Sequence, residues 1–341
     1  MNDLKSMTFD EIENICVGLG LKKFRAKQIY GWICKGVDDF SQMTNLPKAD
    51  LELLKKDYFI SSAKIEQKFT SKIDDTVKYL YKMYDGEFIE SVVMKYKHGW
   101  SICVSTQVGC AMGCKFCAST LNGKKRDLLA GEILSQIFTA QNDLSIRISN
   151  VVLMGMGEPL DNYDNVLRFL HLVSNDDGLN IGMRHISLST CGLVDMIDKL
   201  ADEGLQLTLS VSLHAPNDEI RDKFMPINHK YNVSELISAC KRYIDKTGRR
   251  ISFEYSLIKG VNDSIECADE LTLLLSGMLC HINLIPVNPV KERGLSHPTM
   301  QNVYKFEKRL IDNGMNATIR RTLGADISAS CGQLRAKHDK T

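Results

Sequence analysis

Proline, tryptophan and surplus charge are scarce in this chain, and long apolar runs are missing. Only 7 of the 341 residues are proline and 2 are tryptophan, while 44% are hydrophobic and 25% charged. That balance excludes disordered, collagen-like and mucin-like classes and points to an ordinary globular core. No stretch reaches the roughly 18 uninterrupted apolar residues of a membrane span. Met1-Asn2-Asp3-Leu4-Lys5 leads into acidic, polar sequence rather than an apolar leader, so neither export nor membrane insertion is expected and a cytoplasmic setting is. Lys plus Arg number 43 against 42 Asp plus Glu, so net charge offers no argument for a polyanionic partner. Cysteine runs against this thin usage. There are 11, an odd number that a complete set of disulfides cannot use, in a chain expected in a reducing compartment. Metal binding or thiol chemistry explains them better.

The length suggests one large domain with an appendage. Residues 1–75 read as helical, with Phe9, Ile12, Ile15 and Val17, then Ile29, Trp32 and Ile33, then Leu51, Leu53 and Leu54 at roughly helical spacing. This stretch carries 12 basic and 12 acidic residues; it is no basic arm, and a packing role and an RNA-docking role both stay open. From Thr76 the pattern becomes extended: 77–83, a turn at Asp85-Gly86, then 88–94, a hairpin and linker over 76–100. Beyond it, 102–105 and strand-like runs at 150–154, 185–190, 206–213, 250–258, 281–287 and 316–322 alternate with helical stretches such as 233–246 and 300–313. About six βα units predict an α/β fold with a partial (β/α)6 TIM-like barrel over 101–322, followed by a C-terminal segment, 323–341. Functional residues belong at the C-terminal ends of such strands.

Cys110-Ala-Met-Gly-Cys114-Lys-Phe-Cys117 follows the run at 102–105 and so occupies a strand-end loop. Closed zinc sites take four protein ligands, whereas an iron–sulfur cube held by three thiolates leaves one iron open. A zinc loop completed by a remote Cys or His is the alternative. With Phe116 between the last two cysteines, the spacing resembles the signature of the radical S-adenosylmethionine (SAM) superfamily. The resemblance implies a [4Fe-4S] cluster on Cys110, Cys114 and Cys117 whose open iron chelates SAM, and reductive cleavage of SAM to a 5′-deoxyadenosyl radical. The remaining SAM contacts are then expected at the next strand ends: Gly157 and Glu158, the latter a carboxylate suited to an ammonium group, then Ser189, Ser212-Leu213-His214 and Asn288.

Further strings carry a closer resemblance over residues 88–337: Glu90-Ser-Val-Val-Met-Lys-Tyr96, Cys103-Val-Ser-Thr-Gln-Val-Gly-Cys110, Gly131-Glu-Ile133, Met154-Gly-Met-Gly-Glu-Pro-Leu160, Ser212-Leu-His-Ala215, Met225-Pro-Ile-Asn228, Asn283-Leu-Ile-Pro-Val-Asn-Pro289 and Cys331-Gly-Gln-Leu334. In this order they are similar to the RlmN family of dual-specificity RNA adenine-C2 methyltransferases, close relatives of the C8-directed Cfr enzymes. Adenine C2 is electron-poor and carries no acidic hydrogen, so polar transfer of the electrophilic SAM methyl group is mismatched and radical chemistry is called for. The resemblance implies two SAM molecules per turnover. One methylates Cys331, and the radical from the other turns that S-methyl group into a methylene radical that adds to C2. Glu90 is implied as the base that takes the C2 proton, and Cys103 as the thiol that attacks Cys331, forms a disulfide and releases the product. The implied partners are 23S rRNA at the peptidyl-transferase centre, tRNA at the adenosine 3′ to the anticodon, and a flavodoxin- or ferredoxin-like reductant, with the enzyme a monomer. Cys16, Cys34, Cys191, Cys240, Cys267 and Cys280 read as packing residues. Residues 91–126 hold no Asp or Glu but include Lys95, Lys97, Lys115, Lys124, Lys125 and Arg126. This is a locally positive stretch suited to RNA phosphates, or alternatively to offsetting thiolate and cluster charge. A zinc-dependent RNA-binding module without turnover is the alternative of another class.

Overall fold

The computed structural model describes residues 1–336; of the C-terminal segment expected over 323–341, residues 337–341 lie outside the described residues. Ten strands form the main sheet: β1 (Lys64–Thr70), β2 (Val77–Lys82), β3 (Phe88–Tyr96), β4 (Gly99–Cys103), β5 (Ile148–Leu153), β6 (Ile186–Thr190), β7 (Thr208–Ser212), β8 (Ile251–Leu257), β9 (Cys280–Pro286) and β10 (Ala317–Ile319). Their order in space repeats their order in the chain. β1 to β4 pair antiparallel through tight turns, and β4 to β10 pair parallel. Parallel neighbours need a crossover. The six crossovers carry the helices Ala130–Leu144, Tyr163–Val173, Val194–Asp202, Val233–Thr247, Ile265–Leu275 and Met300–Asp312. β10 and β1 are the two free edges, so the parallel part is a partial barrel and not a closed one.

Period-two alternation decides what each strand offers to either side. In β8, Phe253, Tyr255 and Leu257 are fully buried in the apolar core, with Tyr255 packed 5.3 Å from Phe306 of the last crossover helix. The intervening Glu254 and Ser256 face the barrel interior, where they line a cavity. Ser189 in β6 and Ser212 in β7 do the same. Polar residues inside the barrel are therefore the side of the alternation that carries the site.

The N-terminal helices Phe9–Gly18, Phe24–Ile33 and Lys48–Asp57 bury a core of their own around Leu4, Ile12, Ile29 and Leu54. Lys5 joins it to the rest, its Nζ donating to Ser61 O at 2.6 Å and to Ser135 Oγ at 3.0 Å. The helical reading of 1–75 fails at Lys64–Thr70, which is strand β1. The strand signal was hidden for two reasons. β1 is an exposed edge strand studded with Lys64 and Lys68, as edges that resist aggregation are, and a bulge between Ile65 and Gln67 breaks its alternation. No helix among the described residues is long and apolar enough to cross a membrane.

Candidate active site

At the C-terminal ends of the parallel strands lies a cavity of about 900 Å³, counting its open mouth. It is lined by Cys110, Cys114, Cys117, Gly157, Glu158, Ser189, Ser212, His214, Asn288 and Cys331. Leu213 is the expected residue that turns away. It is fully buried in the core, as alternation after the inward Ser212 requires, and its carbonyl accepts from Arg221 Nε at 3.1 Å.

The three-cysteine loop is tied off by a ribbon of Gln107–Gly109 against Lys124–Asp127. Cys110 N donates to Gly123 O at 3.0 Å, and Cys117 N to Cys114 O at 3.1 Å. Thr120 Oγ1 stands 3.0 Å from Cys117 O and 3.2 Å from Cys114 O, and accepts from Arg293 Nη2 at 2.7 Å. Phe116 packs edge-on against His214 at 4.8 Å. Burial pushes all three thiols up, that of Cys110 to about 12. Such thiols keep their protons until a metal cation replaces them.

Beyond β5 the chain runs close against residues 104–107, which is why two glycines are needed there. A Cβ on Gly155 would lie 2.6 Å from Val104 O. Gly157 has φ +106°, and its Cβ would lie 2.7 Å from Gln107 Cβ and 2.8 Å from Gln107 N. Glu158 follows, its Oε1 accepting from Leu160 N at 3.0 Å and its Oε2 from Cys191 N at 2.8 Å. Burial raises its pKa, and these N–H donors pull the other way. Across the cavity His214 Nδ1 accepts from Ser256 N at 2.9 Å, so its proton sits on Nε2; burial lowers the ring to about 3 and keeps it neutral.

A second cavity of about 410 Å³ adjoins the first, sharing Cys117, Met154, Gly155, Arg320, Cys331 and Gly332 with it and adding Val92, Met94 and Cys103. Cys331 thus fronts both spaces, with Cys103 in the smaller one. All 11 cysteines are free thiols. Burial, and after it Cys331, push the Cys103 thiol up to about 12, with Arg320 opposing. Hydrogen bonds pin the Cys331 loop, among them Asn288 Nδ2 to Cys331 O at 3.0 Å, Ala118 N to Gly332 O at 2.7 Å and Ser119 Oγ to Leu334 O at 2.6 Å. Glu90 shares a face of β3 with Val92 and Met94 but lines neither cavity. The C-terminal segment covers it, Arg335 N donating to Glu90 Oε2 at 2.8 Å.

Two charged lining residues are not singled out by the sequence motifs. Arg320 immediately follows β10, and Glu254 sits on the inward face of β8, its carboxylate 3.6 Å from the Arg320 guanidinium. The strand-end rule that selected Ser189 and Asn288 also selects Arg320. The locally positive reading of 91–126 needs correction. Lys124 pairs with Asp127 and Asp161, Lys125 with Glu87, Arg126 with Asp85 and Glu132, and Lys95 with Asp75. Those carboxylates lie outside the stretch in sequence and against it in space, so most of its charge is already neutralised.

Residues 104–271 match the model of the radical SAM superfamily, and residues 2–60 that of the ribosomal RNA large subunit methyltransferase N-terminal domain. A probable dual-specificity RNA methyltransferase RlmN of Alkaliphilus oremlandii is 56% identical over 98% of both chains, and one of Clostridium novyi is 53% identical over 99% of both. The chain belongs to the RlmN family. A crystal structure of a radical SAM methyltransferase from Sphaerobacter thermophilus, 42% identical, superposes with a TM-score of 0.94 over 99% of this chain and 100% of that one. Like other RlmN-family chains, this one is a radical SAM RNA methyltransferase, and the superfamily implies a [4Fe-4S] cluster and SAM. The residues fit both. Three thiols, those of Cys110 and Cys114 on buried residues and that of Cys117 on a half-buried one, front a common space, as ligands spread over the corners of a cube do. Beside them the RlmN cavity offers the anchored Glu158 carboxylate and the neutral His214.

Proposed function

We propose that this enzyme methylates C2 of adenosine, both in the peptidyl-transferase centre of 23S rRNA and 3′ to the anticodon in tRNA, through an S-methylated Cys331 and a transient protein–RNA adduct. The observation that carries the reading is that Cys331 fronts both the space ringed by the three cluster cysteines and the smaller one holding Cys103. A methyl carrier needs access to a radical source on one side and a resolving thiol on the other.

When bound, the cluster and SAM supply a hydrogen-abstracting 5′-deoxyadenosyl radical, and later an acceptor for the one electron that the RNA adduct gives up. The chain does the rest. Cys110, Cys114 and Cys117 hold the cluster. Gly157, Glu158, Ser189, Ser212, His214 and Asn288 bind SAM, the Glu158 carboxylate facing the methionine ammonium. Cys331 would take its methyl group from one SAM, and its activation would consume a second. Because a stacked base hides C2, the adenine is flipped into the mouth. Glu90 then takes the C2 proton, and the Cys103 thiolate attacks the Cys331 sulfur, so that the bond from that sulfur to the methylene carbon breaks, the disulfide forms and the released carbon takes up a proton from solvent to become the methyl group. A flavodoxin- or ferredoxin-like protein supplies electrons to a monomeric enzyme in the cytoplasm. The divisions at 100 and 322 belong to this reading as well; the accessory unit is the helical stretch up to about residue 60 rather than 75, since Lys64–Thr70 is a strand of the main sheet.

The test is anaerobic reduction with SAM and each RNA in turn, followed by digestion and mass spectrometry. Expected are 5′-deoxyadenosine and 2-methyladenosine from both RNAs; 8-methyladenosine instead would overturn the choice of carbon, and no 5′-deoxyadenosine the mechanism. Gly157→Ala is expected to lower stability by about 1–3 kcal/mol through the forced positive φ. If the displaced turn costs Glu158 one charge-assisted contact of about 1.4 kcal/mol, SAM affinity falls about tenfold. Thermal melting and equilibrium dialysis check the two halves.

A further inference from the structure

Glu90 is buried, and a buried carboxylate left to itself drifts towards its neutral form. A base must begin charged. Lys78 of β2 faces it from the neighbouring strand, where Leu80 is the residue directly opposite Glu90. The Lys78 ammonium lies 3.4 Å from Glu90 Oε1, and both side chains are almost entirely withdrawn from water. Its remaining surroundings are Ser328 O at 3.4 Å and the ring of Phe69 at 4.9 Å. The other oxygen, Oε2, takes the Arg335 amide, a donor on the segment that also carries Cys331. Lys78 and Arg335 are the charged residues that pair or bond with this carboxylate among the described residues, and the Arg335 guanidinium is turned to Glu292, 2.7 Å away. The two partners of Glu90 thus differ in kind. One is a fixed ammonium in the sheet, and the other is a backbone N–H on the segment of the methyl carrier.

We propose that Lys78 is a positioning residue for the proton-transfer step, holding the Glu90 carboxylate charged and oriented until the C2 proton arrives. The proposal rests on the reading of Glu90 as the base. In the step, the C2–H bond of the adduct breaks, the proton passes to a Glu90 oxygen, the bonding pair stays in the adenine ring, and the odd electron leaves to the acceptor already named. Only Glu90 changes protonation; Lys78 stays an ammonium and touches no substrate.

The experiment follows that proton alone. RNA carrying tritium at adenine C2 is reacted anaerobically with reduced, Cys331-methylated enzyme in a Cys103→Ala background, where no disulfide can form, and tritium reaching water is measured against pH. Adding Lys78→Met should move the acid limb of that profile upward by about 1–3 pH units, the worth of one close opposite charge to a carboxylate. Release should then be about tenfold or more slower below the new midpoint and recover at higher pH. Lys78→Arg should keep the unshifted profile. An unshifted profile in Lys78→Met, or slowing by the same factor at every pH, would overturn the proposal, since a merely structural pair predicts one or the other. Glu90→Gln tests the underlying reading separately: it should form adduct and release no tritium, and normal release there refutes the base, not Lys78. Should Lys78→Met fold poorly, Lys78→Gln replaces it. Infrared difference spectra of either variant against its Glu90→Gln counterpart, without turnover, should place the carboxylate titration above that of the unsubstituted protein; coincident titrations overturn the proposal.

Discussion

Replacing Cys103 by alanine should stop the enzyme after a single RNA and leave the two covalently joined. The substitution removes a thiol that lines the smaller cavity but not the larger one, so the loading of Cys331 and the formation of the radical should proceed. Alanine at this buried position in β4 takes less space than cysteine and introduces no polar atom, so the fold should hold. What is lost is, among the described residues, the one cysteine that shares the smaller cavity with Cys331 apart from Cys117, which the proposed mechanism assigns to the cluster. Denaturing gels of the anaerobic reaction with labelled tRNA should show a band of protein plus RNA that survives boiling, together with 5′-deoxyadenosine equal to the enzyme present. Multiple turnovers with free methylated RNA would remove Cys103 from the mechanism.

Arg221→Met should be the most destabilising substitution in the barrel. The Arg221 side chain has no exposure to solvent, and it is held by neutral oxygens: Nε donates to Leu213 O at 3.1 Å, Nη1 to Asn228 Oδ1 at 2.9 Å, and Nη2 to Cys191 O at 2.7 Å and Ser212 O at 3.2 Å. Methionine fills similar volume but strands these buried acceptors at the ends of β6 and β7. Each stranded acceptor costs about 1–3 kcal/mol, partly offset because a buried guanidinium no longer has to be desolvated. A net loss of about 3–5 kcal/mol is expected, comparable to breaking a buried charged network. Urea unfolding with an unchanged slope checks it. Arg221 also braces the Cys191 carbonyl, whose residue N–H holds Glu158, so weaker SAM binding should accompany the loss.

Chemistry that is local in the chain was legible in the sequence. Cys110, Cys114 and Cys117 sit in one loop, so their spacing alone brings three thiols to one cavity. Ser189, Ser212 and Asn288 followed from strand ends, once the alternation of strands and helices was seen. What depends on register was not legible. Glu90 meets Lys78 only because β2 and β3 pair with Leu80 opposite Glu90, and no window along the sequence contains that fact. Leu213 belongs to the strand-end string Ser212-Leu213-His214, yet a strand turns its neighbours to opposite faces and this side chain enters the core. The cations of 91–126 looked free because counting along the chain missed Asp85, Glu87 and Asp161, which fold back against them. β1 was missed because its bulge and its solvent-facing lysines erase the apolar rhythm that marks a strand.

The sheet's agreement between spatial order and chain order has a consequence for biogenesis. Each strand pairs with the one that left the ribosome before it, so a single crossover closes at a time, which suits vectorial assembly of a nascent chain. Cys110, Cys114 and Cys117 lie in the first crossover, while Cys331 emerges after the last strand. Any step acting on the nascent chain would therefore meet Cys110, Cys114 and Cys117 well before Cys331 has been synthesised.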